Sequence, residues 1–157
     1  MLATMKTVLG PGATLLQASE YIRDHLTRQR AVSRSMHEGE VGCRYRGDNG
    51  TMCAVGCLIP DELYKVNMEN WPATHSSPDL GYIAPSSRLK HLFDGNPSIL
   101  ELRMLRMWQR YHDNEYQYGD WVEGRAGVSP AEFHENLVGA CGLATDGAGA
   151  IAAPDLA

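Results

Sequence analysis

The sequence lacks any long hydrophobic run, and it carries no excess of positive charge. No apolar stretch approaches the ~18 residues of a membrane-spanning helix. Lys and Arg number 14 against 19 Asp and Glu, for a formal charge of −5, which argues against a basic nucleic-acid coat protein. Only 21% of the residues are charged, which excludes a strongly charged disordered chain. Because segment 1–16 has no convincing cleavage site, we expect no secretory signal and a cytoplasmic location.

Sequence motifs for phosphate and zinc binding are also missing. The glycine-rich stretch 39–56 fits neither a Walker loop nor a dinucleotide-binding loop, so we interpret its glycines as turn residues. No Cys-x2-Cys pair occurs, and a chain with no export signal needs no disulfide framework. We therefore expect buried free thiols and no cofactor. The alternative is a zinc site built from the three clustered cysteines and one histidine, namely Cys43, Cys53, Cys57 and either His37 or His75.

The chain length of 157 residues, 43% of them hydrophobic, predicts a single domain with its own core. A Gly-Pro-Gly triplet interrupts segment 1–13, which we expect to be a loose N-terminal arm. The globular domain then covers residues 14–143. Segment 144–157 is rich in Gly and Ala and predicts a disordered tail.

Capping patterns mark the first and last helices. Thr14 followed by Gln17 has the spacing of a capping box, and the apolar spacing after it predicts a helix over residues 15–30. Ser129, followed by Pro130 and Glu132, opens the last helix in the same way. That helix should end at the following glycine, Gly142.

A third helix has the clearest amphipathic pattern. Asn96 is the expected N-cap, and Pro97 suits the first helical position. One face of this helix should point into the core, and the opposite face is basic. The residues of the core face are Ile99, Leu102, Leu105, Trp108 and His112. The residues of the basic face are Arg103, Arg106 and Arg110.

A β-hairpin is predicted in the glycine-rich region. Residues 41–46 fit a strand, and Asp48-Asn49-Gly50 is a strong turn signal. Residues 51–58 then return as a second strand or begin a short helix. The fold class is therefore α+β and mainly α, with four or five helices packed around a small β-hairpin.

Two segments have the composition of binding surfaces. Aromatic residues alternate with carboxylates after residue 113, and Tyr116, Tyr118 and Trp121 are the candidate anchors of a protein interface. Carboxylates around them favour a basic partner. The competing interpretation places these rings in the core. Segment 23–46 is rich in arginine, and the candidate nucleic-acid contacts are Arg28, Arg30, Arg34, Arg44 and Arg46.

A signature of sixteen residues carries a resemblance to a known family. The stretch reads Cys-x-Tyr-Arg, a glycine turn, then Cys-Ala-Val-Gly-x-Leu-Ile-Pro-Asp-Glu-x-Tyr and Met-Glu. It resembles an uncharacterised family of small proteins of tailed phages and prophages. The matching residues are Cys43, Tyr45, Arg46, Gly50, Cys53, Ala54, Val55, Gly56, Leu58, Ile59, Pro60, Asp61, Glu62, Tyr64, Met68 and Glu69. The resemblance implies a phage origin and a shared fold, and it implies no activity.

Three functions remain open from the sequence. We expect a non-catalytic phage accessory protein that binds a host or viral macromolecule in the cytoplasm of the bacterial host, with a protein as the expected partner. The first alternative is a small nucleic-acid-binding module that uses the arginine-rich segment 23–46. The second is a cysteine- or metal-dependent enzyme, since Cys53 at a helix start would have a stabilised thiolate. The sequence selects no histidine as its base.

Overall fold

The fold is taken from a computed structural model that describes residues 4–37, 40–69, 80–81 and 84–143. Within the strands of the hairpin, side chains are described for Arg34, Ser35 and Cys43. The predicted tail 144–157 lies outside the described residues.

Helix α1 spans Leu15–Gln29 and begins where the sequence predicts. Thr14 Oγ1 accepts a hydrogen bond from the Gln17 N–H at 3.0 Å, and the Gln17 side chain accepts one from the Thr14 N–H at 2.9 Å. The predicted capping box is therefore confirmed. The helix closes at Arg30, which takes a left-handed conformation with φ of 44° and donates its N–H to the Leu26 carbonyl.

Helix α2 spans Ile99–Asp113, and its start differs from the predicted one. The N-cap is Ser98 instead of Asn96, and the Ser98 hydroxyl accepts a hydrogen bond from the Glu101 N–H at 3.0 Å. Ile99 is 64% exposed, so its predicted place in the core was wrong. The other four residues of the predicted core face are buried: Leu102, Leu105, Trp108 and His112.

Helix α4 spans Pro130–Cys141 and confirms its predicted limits. Ser129 accepts the Glu132 N–H at 3.1 Å, and Gly142 closes the helix with φ of 62°. After the closing glycine, Leu143 is buried in the core.

The core lies where α1, α2 and α4 meet. Trp108 of α2 is fully buried, and its ring makes edge contacts with Tyr111 at 5.6 Å and Phe133 at 4.7 Å between centroids. Ile22 of α1 and Leu137 of α4 are buried in the same cluster. Aromatic edge contacts of this kind add stabilisation beyond that of the buried area.

The hairpin lies earlier in the chain than predicted, because the predicted first strand at residues 41–46 overlaps its second strand. Strand β1 (Arg34–His37) pairs antiparallel with β2 (Glu40–Cys43). The predicted turn Asp48–Gly50 is present as a 3₁₀ turn, with Asn49 at φ 60° and Gly50 at φ 73°. Arg46 and Met52 form an isolated antiparallel bridge across this turn, and no second strand follows it among the described residues. The chain instead enters the core at residues 53–58 and forms a short 3₁₀ helix at Gly56–Leu58, in line with the helical alternative for this segment.

The described N-terminal residues pack against the domain and do not form the predicted loose arm. Met5 is 4% exposed and forms a β-bridge with Phe93. The Thr4 hydroxyl donates to the buried carboxylate of Glu101 at 2.6 Å. Segment 4–8 is therefore a strap that packs on the domain through Met5 and Thr7, while Lys6 and Val8 are exposed.

The prediction of a mainly α fold with a small hairpin is confirmed. The described residues contain four α-helices, of which α3 (Asp120–Val122) is a single turn between α2 and α4. Several 3₁₀ turns connect the hairpin to α2. Across the described part of the chain, no helix combines the length and the hydrophobicity needed to cross a membrane.

Candidate functional site

Four residues of the sixteen-residue signature, Tyr45, Arg46, Tyr64 and Glu69, form a polar cluster around the Glu69 carboxylate. Glu69 is 7% exposed, and its carboxylate accepts hydrogen bonds from the backbone N–H groups of Tyr45 and Arg46 at 3.0 and 3.1 Å. It also accepts the Tyr64 hydroxyl at 2.7 Å. A carboxylate with three internal donors joins the segment just after β2 to the 3₁₀ turns that carry Tyr64 and Glu69, which is a structural role.

Two of the five arginines predicted to bind nucleic acid are used inside the fold. Arg46 pairs with Asp61 at 2.7 Å, donates to the Ile59 carbonyl at 2.8 Å and lies over the Tyr64 ring. Arg44 is 2% exposed. The prediction that these two guanidinium groups contact nucleic acid was therefore wrong, because they stabilise the signature region. Three of the predicted arginines are exposed: Arg28, Arg30 and Arg34.

A π-helical turn follows α2 and carries two of the three predicted aromatic anchors, Tyr116 and Tyr118, while Trp121 lies in α3. It spans Glu115–Gly119, and the Asp120 N–H bonds to the Glu115 carbonyl five residues earlier. Asn114 starts the turn by accepting the Tyr116 N–H on its side chain at 2.9 Å. Gly127 packs directly beneath the turn, since a Cβ there would lie 2.3 Å from the Gln117 carbonyl oxygen. Isolated π-helical turns are rare and frequently occur at functional sites.

Tyr118 points inward from this turn, so its predicted role as an exposed anchor was wrong. The residue is fully buried, and its hydroxyl donates to the Leu26 carbonyl at 2.8 Å and accepts the Ala31 N–H at 3.3 Å. Burial raises the pKa of this phenol to about 12. Tyr118 therefore joins the end of α1 to the π-helical turn, which is a structural role.

Trp121 is partly buried and contacts two other planar groups. One face of its indole stacks on Tyr118 at 5.8 Å between centroids. The guanidinium of Arg30 lies over the ring at 4.3 Å and donates to the Trp121 carbonyl at 3.3 Å. The structure thus brings together one residue from each predicted binding set.

Tyr116 is the ring that points outward, and its side chain is 73% exposed. Two exposed carboxylates, Glu115 and Glu123, lie on the same segment. Asp120 is neutralised by Arg125 at 2.9 Å. We call this region the Tyr116 surface, defined by Glu115 and Tyr116 on the π-helical turn, by Glu123 at the end of α3 and by the Arg30–Trp121 pair.

A second cluster brings Cys43 of β2 to His112 and Asp113 at the end of α2. One potential ligand atom from each residue lies within 4.8 Å of the others. The predicted alternative zinc ligands are not gathered in this way: among the described side chains, Cys53 and Cys57 do not join a metal-ligating group with Cys43. The side chain of His37 and all of His75 lie outside the described residues.

The hydrogen bonds of His112 oppose metal binding and base catalysis. The Ser33 N–H donates to His112 Nε2 at 3.0 Å, so that nitrogen carries no proton and its lone pair is occupied. Nδ1 then carries the proton and donates it to Asp113 at 2.6 Å. Burial, with the nearby Asp113 carboxylate as a smaller cause, raises the pKa of the Cys43 thiol to about 12. A thiol with a raised pKa is a poor nucleophile, and the neighbouring imidazole cannot act as its base because the Nε2 lone pair already accepts a hydrogen bond.

The remaining thiols are buried as the sequence predicts. Cys53, Cys57 and Cys141 are at most 2% exposed, and burial raises the pKa of each. The Cys57 thiol donates to the Ala54 carbonyl, and Cys53 Sγ accepts the Gly56 N–H. Cys53 therefore does not have the stabilised thiolate proposed for a helix start.

We expect the protein purified from reducing cytosol to contain no stoichiometric zinc. Ligation through Nδ1 would move a proton to Nε2 of His112, where it would face the Ser33 N–H. Elemental analysis of the purified protein tests this, with Asp113→Asn as the matched variant. One zinc per chain that disappears in this variant would show that the cluster does bind metal.

Two features of the site were not predicted from the sequence. The π-helical turn was not among the elements predicted after residue 113, although Asn114 is an apt capping residue. The pairing of Arg30 with Trp121 joins residues 91 positions apart, and neither periodicity nor spacing indicates it.

Comparisons of the chain with known protein families, with curated proteins and with solved structures find no match.

Proposed function

We propose that this chain is a non-catalytic phage accessory protein that binds another protein in the cytoplasm of the bacterial host. The observation that carries the proposal is the exposure of Tyr116 on a π-helical turn held by internal hydrogen bonds. Tyr is a frequent interface anchor, because its rigid ring supplies contact area at a low cost in conformational entropy. The phage context rests on the resemblance of the signature region.

The charge of the Tyr116 surface favours a basic partner. Glu115 and Glu123 are exposed, and the chain as a whole has a charge of −5. Carboxylates around an aromatic ring attract Lys or Arg side chains, which also pack favourably against the ring face. Attraction of this kind steers association and weakens as salt concentration rises.

Capture from lysate of infected host cells tests the proposal. We expect Tyr116→Ala to weaken capture of the partner by about thirtyfold, which corresponds to about 2 kcal/mol for an anchor residue. The melting temperature should stay near that of the parent, because the ring is 73% exposed.

Val66→Ala is the matched control for this experiment. Val66 is 74% exposed and lies in a different part of the fold, in the 3₁₀ turn Val66–Met68. It should leave capture unchanged. If Tyr116→Ala captures the same proteins as the parent at the same strength, the interface lies elsewhere.

Nucleic-acid binding is the second candidate, and the exposure of Arg28, Arg30 and Arg34 favours it. Three cations within seven residues match a short phosphate backbone better than an isolated arginine does. If the partner is nucleic acid, its affinity should fall steeply as the salt concentration rises. Arg28→Ala should weaken this binding, whereas Tyr116→Ala should leave it unchanged.

A further inference from the structure

The Arg30–Trp121 pair shows how the Tyr116 surface holds a guanidinium group. The guanidinium carbon of Arg30 lies 4.3 Å from the centre of the Trp121 ring, and its Nη2 donates to the Trp121 carbonyl at 3.3 Å. A guanidinium can make both contacts at once, because it is planar and carries N–H donors along its edge. An ammonium is a compact point charge without this geometry. The ring and the carbonyl together therefore have the chemistry of a site for arginine.

The contact between Arg30 and the ring is weak. Arg30 is exposed, and a cation over an aromatic ring gains little free energy where water reaches both groups. The hydrogen bond of 3.3 Å is also longer than the common N–H···O distance of about 2.9–3.0 Å. A second guanidinium group can therefore replace Arg30 on the ring at a small cost.

The backbone of Arg30 is fixed independently of its side chain. The residue takes a left-handed conformation with φ of 44°, and its N–H closes α1 by donating to the Leu26 carbonyl at 3.1 Å. The same carbonyl accepts the Tyr118 hydroxyl at 2.8 Å. The Arg30 side chain can thus leave the ring while the end of α1 stays in place.

Two carboxylates of this surface supply countercharge for an incoming cation. Glu123 lies two residues after Trp121, Glu115 begins the π-helical turn, and both are exposed. Within the described part of the chain, neither carboxylate takes part in an ion pair, whereas Asp120 is paired with Arg125 at 2.9 Å. The surface therefore attracts a further positive charge.

We propose that the Trp121 ring is a binding site for an arginine side chain of the protein partner, and that Arg30 occupies this site in the free protein. The partner's guanidinium displaces Arg30, contacts the ring and the Trp121 carbonyl, and is attracted by Glu115 and Glu123. Because only molecules with an open ring bind this side chain, Arg30 lowers the apparent affinity for the partner. The inference rests on the proposed function of the Tyr116 surface and names the side chain that this surface recognises.

Titration of the full chain with two short peptides tests the arginine site. The probes are acetyl-Gly-Arg-Gly-amide and acetyl-Gly-Lys-Gly-amide, followed through the NMR resonance of the Trp121 indole N–H at low salt. Arg30→Gly should bind the arginine peptide about threefold more tightly than the parent, which is the size of an exposed cation–π contact. The lysine peptide should gain less. Glycine adopts φ of 44° without strain, so the end of α1 is preserved in this variant.

Arg28→Ala is the matched control, because it removes the same charge from an exposed position two residues earlier. This variant should bind the arginine peptide nearly as the parent does. Equal affinity of the parent and Arg30→Gly for the arginine peptide would overturn the arginine site. A gain of the same size in Arg28→Ala would also overturn it, since that gain would come from net charge and not from the ring.

The titration is independent of the capture experiment, because the peptides replace the partner. If Tyr116→Ala leaves capture unchanged while Arg30→Gly gains affinity for the arginine peptide, the proposed interface is wrong and the arginine site stands. If Tyr116→Ala weakens capture while Arg30→Gly gains no affinity, the interface stands and the arginine site is overturned.

Discussion

Tyr118→Ala is expected to lower the free energy of unfolding by about 3–5 kcal/mol, the range seen when a large buried aromatic residue is truncated. The ring is fully buried between Tyr111, His112 and Trp121, so its removal leaves a cavity in a tightly packed region. The Ala31 N–H also loses its partner. Urea denaturation of the parent and the variant measures the difference.

Tyr116→Ala is the matched control, because it removes the same ring two positions away on the same turn. With Tyr116 73% exposed, the change in stability should stay within about 0.5 kcal/mol. Equal losses for the two variants would show that the inward and outward directions of these rings are wrongly assigned. The pair also separates folding from binding, since only Tyr116 is proposed to contact the partner.

Glu69→Ala should destabilise the protein by about 3–5 kcal/mol, in the range seen when the partner of buried polar and charged groups is removed. The substitution leaves the backbone N–H groups of Tyr45 and Arg46 without their acceptor, and the Tyr64 hydroxyl loses its partner as well. Thermal and urea unfolding, followed by circular dichroism, measure the loss.

Glu62→Ala is the control for this carboxylate, because Glu62 belongs to the same signature but is exposed. Its effect should be within about 0.5 kcal/mol. A small effect at Glu69 would contradict the view that the signature residues serve mainly to hold the fold together. A large effect would explain a distinctive signature without any catalytic role.

Local physical rules were sufficient where a helix end is decided by its own residues. Thr14 with Gln17, and Ser129 with Glu132, satisfy backbone N–H groups within four residues, so the sequence alone predicts both starts. At α2 two capping residues compete two positions apart. Ser98 is the N-cap, and the sequence offered no means of choosing it over Asn96.

Nonlocal contacts account for what the sequence did not predict. The turn at Asp48–Gly50 has the expected local conformation, but the following residues are drawn into the core instead of extending a ladder. Alternation of aromatic and acidic residues suggested that three rings share one surface. The π-helical turn instead directs Tyr116 outward and Tyr118 inward, an orientation that depends on Gly127 packing against the turn from a later part of the chain.

The N-terminal strap has a consequence for the order of events during synthesis. Thr4 bonds to a carboxylate 97 positions further along the chain, so this contact has to wait until α2 has been made. At about 5–20 residues per second, that interval lasts about 5–20 s. During this interval Met5 lacks its packing partner Phe93, so its side chain is exposed and can bind chaperones or other nascent chains.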